Sequence, residues 1–369
     1  MRDIRKYDFV DALRGWAFFF VLLLHVSQKI PRLSYQLAWG QHGVQLFFVL
    51  SAFTLFHSFS ARNASGSETT TSYLIRRLFR IAPLFWLAII FYTLFRDSVI
   101  LWLLPREADI SSVFLTALFA HGWHPYSINA VVPGGWTIAV EMNFYLMLPV
   151  FFKYVSSLKR AVLLGILLLL FRLAANYLYT RFFSSGTDLD ARFVYFWLPN
   201  QLPVFSLGFI LYFLVRGHLE GPADSSGEMK PRPFLAEALM IIFLTVFLFG
   251  IMGKTFFATH IYFGIAFFIL AWSLALKPYS FFVNRLTCFA GKLSYSAYLW
   301  HFFCVSTMMQ AGVHLGMKYN LPYLPERYYF IILTASFITT LALSSVTYYA
   351  VEQPFQRLVK KLLSAQPAA

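Results

Sequence analysis

The chain has 369 residues, of which 59% are hydrophobic and only 12% are charged. Soluble domains carry about 25% charged residues, so this composition excludes an ordinary soluble protein and predicts an integral membrane protein. The net charge of +14 is high enough for nucleic-acid binding, but the placement of the basic residues argues against that class.

Ten apolar runs are long enough to cross a bilayer, which predicts an all-α, polytopic fold in one domain over residues 1–369. The runs cover 10–28, 43–60, 81–96, 136–152, 161–178, 197–215, 234–251, 259–276, 288–310 and 328–350. A shorter apolar stretch at 110–121 is predicted to be re-entrant or interfacial. Residues 61–72 and 217–233, rich in Ser, Thr, Gly, Pro or charge, are predicted loops.

The basic residues are unequally divided between the two sides of this arrangement. Ten spans place both termini on one side, where twenty of the thirty Lys and Arg residues fall; nine lie opposite and Arg172 lies within a span. The positive-inside rule therefore predicts that both termini are cytoplasmic. It also accounts for most of the net charge without nucleic acid.

The first span begins with Asp11-Ala12-Leu13-Arg14-Gly15 and contains His25. Asp11, Arg14 and His25 share one helical face, with about 16 Å between Arg14 and His25 along the axis. A charge inside a membrane costs about 2.5 kcal/mol or more, so this stripe predicts a functional site. The structural alternative is an arginine at the headgroup level and a histidine bonded to a neighbouring helix.

A cluster of arginines precedes the third span, in Arg76-Arg77-Leu78-Phe79-Arg80. Arg76 and Arg80 are spaced i,i+4 and are predicted to project together, with Arg77 about 100° away. Guanidinium groups suit phosphate oxygens, so the cluster is a candidate site for a phosphorylated cofactor. Positive-inside charge or contact with anionic lipid is the alternative.

Two further spans carry polar residues at helical spacing. Thr137, Glu141 and Tyr145 form one stripe that starts beside Trp136 after a Pro-Gly-Gly break. A buried carboxylate usually faces a partner or a cavity, so a bond to another span is the structural alternative for Glu141. His301 lies in the middle of a later span, where a histidine is most often a satisfied core residue.

Together these stretches resemble the acyltransferase family 3 membrane proteins, which O-acylate carbohydrates and related acceptors. The matching segments, in the family's order, are residues 11–15 with His25, 47–53, 76–83, 136–145, 293–301 and 352–355. The resemblance implies an acyl-CoA donor, usually acetyl-CoA, that enters from the cytoplasm of a bacterium with the enzyme in its inner membrane. It also implies that Arg14 and His25 form an essential pair and that Arg76, Arg77 and Arg80 serve the donor.

The sequence therefore predicts a membrane O-acyltransferase with an intramembrane active-site cavity, no metal, and a carbohydrate or glycolipid acceptor. The acceptor is predicted to be a cell-surface polysaccharide or its lipid-linked precursor. His25 is the predicted general base, because its ordinary pKa of about 6.5 leaves neutral imidazole available. Arg14 is predicted to contact the donor or stabilise the thioester oxygen, and Glu141 to orient a histidine or bind acceptor hydroxyls. The residues predicted to bind substrate or to orient the catalytic groups are Asp11, Trp136, Thr137, Tyr145 and His301.

Three alternatives stay open at this level. An acyl-histidine relay would replace direct transfer. A membrane transporter of an anionic or acylated solute would use the same intramembrane charges, although the inverted repeat and paired broken spans common in transporters are not visible. A sensor or scaffold with a degenerate site is a further class, against which the retained polar residues argue.

Overall fold

The computed structural model describes residues 7–28, 31–64, 69–95, 109–219, 233–318 and 325–364, and helices are the only regular secondary structure in these ranges. The α-helices are α1 (Asp8–Ser27), α2 (Pro31–Gln36), α3 (Gly43–Ala64), α4 (Thr70–Leu94), α5 (Ile110–Ala117), α6 (Trp136–Tyr154), α7 (Leu158–Phe182), α8 (Asp188–Phe196), α9 (Leu198–Leu219), α10 (Pro233–Ile251), α11 (Thr259–Leu276), α12 (Arg285–Lys292), α13 (Ser294–Lys318), α14 (Pro325–Thr347) and α15 (Gln353–Ser364). Short 3-10 helices lie at Ala38–His42 and His121–Trp123, and a π-helical turn at Tyr348–Glu352 joins α14 to α15.

Seven helical segments in the described ranges have the length and composition to cross a membrane. They are Asp8–Ser27, Ala38–Ala64, Leu158–Phe182, Asp188–Gly217, Phe234–Ile251, Thr259–Leu276 and Tyr328–Leu363. The other three predicted spans fall on α4, α6 and α13, long helices that carry the polar residues of the motifs. The prediction of an all-helical, polytopic protein is confirmed.

The shorter elements also bear on the sequence predictions. The apolar stretch at 110–121 forms the eight-residue helix α5 and a 3-10 turn, so it is too short to span. Residues 61–64 end α3 and residues 70–72 begin α4, because a capping box between Thr69 and Ser72 starts that helix earlier than predicted. The rest of that loop, 65–68, and residues 220–232 of the second lie outside the described residues.

Two clusters of buried apolar side chains hold the bundle together. The larger joins α1, α3, α4, α6, α9 and α11, and the smaller joins α1 to α12, α13 and α14. Phe47 of α3 is partly buried and packs against both clusters. By contrast, α7 and α10 leave most of their apolar side chains exposed, as a lipid-facing helix requires. Helix α1 therefore lies between the two clusters.

The first turns of α1 are fixed by close contact with α12. A Cβ atom on Gly15 would collide with the carbonyl oxygen of Thr287, and one on Gly291 would collide with that of Asp11. Trp16 Nε1 donates a hydrogen bond of 3.1 Å to the carbonyl oxygen of Phe282. Glycine at these two positions thus lets the helices approach closely enough to set the depth of Asp11 and Arg14.

Candidate active site

A polar cavity of about 280 Å³ lies where α1, α3 and α4 meet, at the amino-terminal end of α1. Its lining residues are Tyr7, Val10, Asp11, Arg14, Thr54, His57, Ser58, Arg62, Arg77 and Arg80. Four of these are arginines, whereas Asp11 is the one acidic residue in the set. We call this strongly positive space the arginine cavity.

Arg14 reaches the wall of the arginine cavity from α1. Its Nη2 donates a hydrogen bond of 3.0 Å to Oγ1 of Thr54 on α3. Its Nη1 lies 3.8 Å from a carboxylate oxygen of Asp11, one turn earlier on α1. The predicted common face of Asp11 and Arg14 is therefore present, and both side chains line the cavity.

Helix α4 brings Arg77 and Arg80 to the cavity, whereas Arg76 is not among its lining residues. Arg77 is 9% exposed, and its guanidinium lies 5.6 Å from the centre of the Tyr73 ring. Arg76 instead directs Nη2 to Oγ of Ser72, at 3.3 Å. The pair that meets at the cavity is thus spaced i,i+3 rather than the i,i+4 pair expected from the sequence.

Helix α3 supplies cavity residues that the sequence analysis did not single out. Thr54, Ser58 and Arg62 recur every four residues along one face, and His57 lies beside them. Arg62 is one of the twenty basic residues that the predicted topology places on the side of the two termini. Its spacing from two hydroxyl residues on an apolar helix was the signal that could have placed it in a site.

Glu141 of α6 lies next to this wall. Ser51 Oγ donates to its carboxylate at 2.5 Å, and the hydroxyl of Tyr145 donates to the same oxygen. Arg14 is close enough for electrostatic attraction to Glu141. Ser51 and Thr54 are neighbours on α3, so Glu141 and Tyr145 continue the polar path inward from Arg14.

The other residues of the predicted α6 stripe have structural contacts. Thr137 Oγ1 donates to the carbonyl oxygen of Gly134 at 2.9 Å, where Gly134 has a positive φ of 71° that favours glycine. The Trp136 ring stacks on Phe196, with ring centres 4.6 Å apart. These contacts fix the start of α6, and neither side chain lines the arginine cavity.

His25, in the last turn of α1, and His301 of α13 lie side by side, with ring centres 5.1 Å apart. The Phe302 ring packs against both, at 4.2 Å from each. We call His25 and His301 the histidine pair. The sequence predicted a function for each residue separately but not their contact, because nothing in the sequence brings the two helices together.

The hydrogen bonds of the histidine pair define where a proton can go. His301 Nδ1 lies 2.6 Å from the carbonyl oxygen of Tyr298; since a carbonyl only accepts, Nδ1 carries the hydrogen and Nε2 of the neutral ring has a lone pair. That Nε2, and Nδ1 of His25, are buried and bonded to no residue that the structure describes. The side chain of Gln28 lies near the His25 ring, one turn later at the end of α1. The pair therefore presents a lone pair that no described protein group occupies.

The arginine cavity and the histidine pair are separate parts of one face of α1. Arg14 and His25 are eleven residues apart, or about 16 Å at ~1.5 Å per residue. Arg14 is bonded to α3, and His25 packs against α13. The two residues therefore lie far apart on the same helical face rather than in contact.

Glu352 is a buried carboxylate that the sequence analysis noted within a matching segment but gave no role. It is 3% exposed, lies in the π-helical turn, and accepts a hydrogen bond from Ser296 Oγ. Arg80 is close enough to attract it electrostatically. The hydroxyl of neighbouring Tyr295 donates to the carbonyl oxygen of Ile81 at 2.6 Å. Glu352 thus helps to hold α13 against the segment of α4 that carries Arg80.

The site contains no recognisable metal centre within the described ranges, where no three His, Cys, Asp or Glu side chains are grouped as metal ligands. The polar groups present are guanidinium groups, hydroxyls, a carboxylate and two imidazoles. Guanidinium groups can bind an anionic group, and a neutral imidazole can accept a proton.

Comparison with known proteins identifies the class. The family model described as "Acyltransferase domain", that of acyltransferase family 3, matches residues 7–349. The chain belongs to this family and is a multi-pass membrane acyltransferase, which confirms the resemblance and the enzyme class predicted from the sequence.

Two curated relatives place the chain within the family. It is 26% identical to the exopolysaccharide production protein ExoZ of Rhizobium meliloti (strain 1021), over 80% of this chain and 85% of that protein. It is 24% identical to the O-acetyltransferase OatA of Staphylococcus aureus (strain NCTC 8325 / PS 47), over 94% of this chain and 57% of OatA. This chain therefore spans little more than half of OatA. No solved structure matches the chain.

Proposed function

We propose that this O-acyltransferase moves an acetyl group from acetyl-CoA to a hydroxyl of a carbohydrate, in a cell-surface polysaccharide or its lipid-linked precursor. The placement of the arginine cavity and the histidine pair on one face of α1 carries the proposal. The cavity offers charge to the phosphates of the donor, and the pair offers a base to the hydroxyl. The relatives support this class of acceptor and acetyl as the transferred group, since ExoZ is named for exopolysaccharide production and OatA as an O-acetyltransferase.

Coenzyme A suits the arginine cavity because its diphosphate and ribose phosphate carry several negative charges. Arg62 of α3 and Arg77 and Arg80 of α4 approach the cavity from two helices, so their planar forks can grip oxygens from two directions. Arg76 stands beside the cavity and contributes long-range attraction. The pantetheine arm is long and slender enough to carry the thioester from this cavity toward the histidine pair.

The transfer step follows from the lone pair at the histidine pair. His25 accepts the proton of the acceptor hydroxyl, and the hydroxyl oxygen attacks the thioester carbonyl carbon. A carbon–oxygen bond forms and the carbon–sulfur bond breaks. The imidazolium returns its proton to the departing thiolate, which leaves as the free thiol of coenzyme A. His301 lies in contact with His25 and keeps its ring oriented.

Arg14 and Glu141 take the donor side of the reaction in this proposal. Of the two roles predicted for Arg14, donor contact is favoured, because its guanidinium is bonded to Thr54 at the cavity wall and lies a long way from His25. Glu141 bonds Ser51 and Tyr145 near Arg14, so it balances the charge of Arg14 and holds it in place. Asp11, which lies near the Arg14 guanidinium, and Tyr145, which is bonded to Glu141, help to position Arg14 for the donor. Trp136 and Thr137 fix the start of α6.

The arginine cavity faces the cytoplasm in this proposal, and the enzyme resides in a bacterial inner membrane. The unequal distribution of basic residues supports this orientation. Acetyl-CoA is a cytoplasmic, membrane-impermeant donor, whereas surface polysaccharides are built outward from the inner membrane. The donor and acceptor then reach the histidine pair from opposite ends of the bundle.

Sealed vesicles test the function and the orientation together. Inside-out vesicles from cells that express the protein should transfer radiolabel from acetyl-CoA to an extractable glycan or glycolipid, and right-side-out vesicles should not. Vesicles that carry His25→Ala should show no transfer in either form. Label that accumulates inside the vesicles without transfer would support transport and contradict the proposal, and transfer by right-side-out vesicles alone would reverse the orientation.

A further inference from the structure

Between the arginine cavity and the histidine pair, α1 and α3 carry aromatic side chains. On α3, the hydroxyl residues Ser58, Thr54 and Ser51 follow one face inward, and Phe47 is next on that face, four residues beyond Ser51. On α1, Phe18 follows Arg14 by four residues and precedes His25 by seven, so it lies on the Arg14–His25 face. Both helices therefore replace polar side chains with phenylalanine just inside the cavity.

These phenylalanines are joined to the histidine pair through Tyr298 and His301. The Phe47 ring packs edge-on against Tyr298, with ring centres 6.1 Å apart, and Tyr298 lies 5.4 Å from His301. The Phe18 ring packs edge-on against His301 at 6.4 Å. We call Phe18, Phe47 and Tyr298 the aromatic collar. Two of its rings, those of Phe18 and Tyr298, pack directly against His301.

Two members of the collar are firmly held. Phe18 is completely buried and stacks on Phe337 of α14, with ring centres 6.1 Å apart. The hydroxyl of Tyr298 donates to the carbonyl oxygen of Gly134 at 3.2 Å. Phe47 is the partly exposed member and packs against both apolar clusters. Phe18 and Tyr298 are thus rings beside the histidine pair that cannot easily move away.

We infer that the aromatic collar selects the length of the acyl group, with Phe18 and Phe47 as specificity-determining residues that admit acetyl and exclude longer chains. The inference rests on the proposed function, because it takes the thioester to lie beside the histidine pair with the phosphates in the arginine cavity. The reaction is unchanged: the carbon–sulfur bond breaks, the carbon–oxygen bond forms, and the hydroxyl proton reaches the thiol.

The physical reason is the density of the protein interior. Buried side chains fill their space with few voids, so each further methylene of an acyl chain must displace a ring of the collar. Forcing extra methylenes into a packed interior is strongly unfavourable. An acetyl group needs only the space of one methyl beside the carbonyl, so it is the chain that fits without such displacement.

The test is competition for donor binding. Purified full-length protein in detergent binds radiolabelled acetyl-CoA, and unlabelled acetyl-CoA, butyryl-CoA or hexanoyl-CoA displaces the label. The wild type should prefer acetyl-CoA to butyryl-CoA. Phe47→Ala should shift the ratio of the two affinities toward butyryl-CoA by about tenfold, the worth of two newly buried methylene groups. Phe18→Ala should shift it in the same direction.

Phe20→Ala is the matched control. Phe20 lies on the opposite face of α1, where its ring packs against Trp39 at 5.3 Å and Phe267 at 6.0 Å. Its removal costs packing in the same helix, so it should lower stability and leave the butyryl-to-acetyl ratio unchanged. Phe47→Leu keeps an apolar side chain and should give a smaller shift in the same direction, which covers the case in which Phe47→Ala does not accumulate.

The outcomes separate this inference from the proposed function. A wild type that binds acetyl-CoA with the same affinity as butyryl-CoA, or a ratio unchanged in both Phe47 variants and in Phe18→Ala, overturns the role of the collar alone. A wild type that binds no acyl-CoA overturns the proposed donor and the collar with it. A ratio that shifts equally in Phe20→Ala also overturns the inference, because it would reflect general loosening of α1.

Discussion

The arginine cavity and the histidine pair share helix α1 but differ in charge. The cavity is lined by four arginines and one aspartate, and Arg14 is bonded to Thr54 at its wall. In the histidine pair, His301 Nε2 and His25 Nδ1 are buried with no hydrogen bond to any described group. A cluster of guanidinium groups attracts an anionic ligand, whereas a buried lone pair without a partner is costly unless a substrate uses it.

This contrast separates binding from chemistry along α1. Changes in the arginine cavity should weaken donor binding with little effect on the turnover of bound donor, and changes in the histidine pair should do the reverse. Kinetic constants distinguish the two cases, because loss of ground-state binding raises KM and loss of an interaction made only in the transition state lowers kcat.

The largest effect is expected for His25→Ala. A positioned general base contributes about 100- to 10,000-fold to rate, so kcat should fall by about a thousandfold or more. Binding of radiolabelled acetyl-CoA should stay within about twofold of wild type. The cavity proposed to bind the donor lies about 16 Å from His25 along α1, so the substitution should not disturb it. Near-normal transfer by this variant, at matched membrane levels, would remove His25 from the mechanism.

His301→Asn should come next, with kcat lowered by about a hundredfold. This is the lower end of the range for a positioned general base, because the variant keeps His25 but loses the ring that orients it. Asparagine can still donate to the Tyr298 carbonyl, but it lacks the Nε2 lone pair and the ring that packs on His25. His260→Asn is the control, because His260 is equally buried and bonded to a backbone carbonyl, that of Asn200, outside the proposed site. Equal losses of kcat in the two variants would reduce His301 to a structural residue.

The arginines of α4 should give a smaller, binding-specific effect. Arg77→Lys and Arg80→Lys keep the charge and lose the planar fork, so each should weaken acetyl-CoA binding about tenfold while kcat is maintained. Arg76→Lys is the matched control, since Arg76 is adjacent in sequence and is not among the cavity-lining residues. If all three variants bind acetyl-CoA normally and insert normally, the cluster serves topology alone.

Helical spacing predicted the parts of the site that lie on single helices. Asp11, Arg14 and His25 share a face because a regular helix fixes the angle between residues, and that angle does not depend on neighbours. The same reasoning placed Glu141 beside Tyr145, where a hydrogen bond is found. The succession of apolar runs predicted the helical, membrane-spanning fold, because the length of a run is also a local property of the sequence.

Contacts between helices could not be predicted in this way. Arg77 rather than Arg76 accompanies Arg80 at the cavity because the packing of α4 sets which face turns inward. The His25–His301 contact joins helices from opposite ends of the chain. Glu352 lies in a π-helical turn, whose extra residue shifts the side-chain register away from regular α-helical spacing. Each depends on packing that local sequence does not encode.

The smallest expected effect tests whether the arginine cavity is pre-organised, and it concerns Thr54. Its hydroxyl accepts a hydrogen bond from Arg14 and itself donates to the carbonyl oxygen of Leu50 at 2.8 Å. Thr54→Val keeps the side-chain shape and removes both bonds. Arg14 is then no longer held in place before the donor binds, and it must lose conformational freedom on binding. One net hydrogen bond is worth about 1 kcal/mol, which corresponds to roughly fivefold weaker binding of acetyl-CoA.

Thr54→Ser retains the hydroxyl and should bind within about twofold of wild type. The kcat of both variants should match the wild type, because Thr54 lines the cavity and not the histidine pair. If Thr54→Val lowers kcat instead, Arg14 acts on the reacting thioester, and the division between a binding cavity and a catalytic histidine pair is wrong.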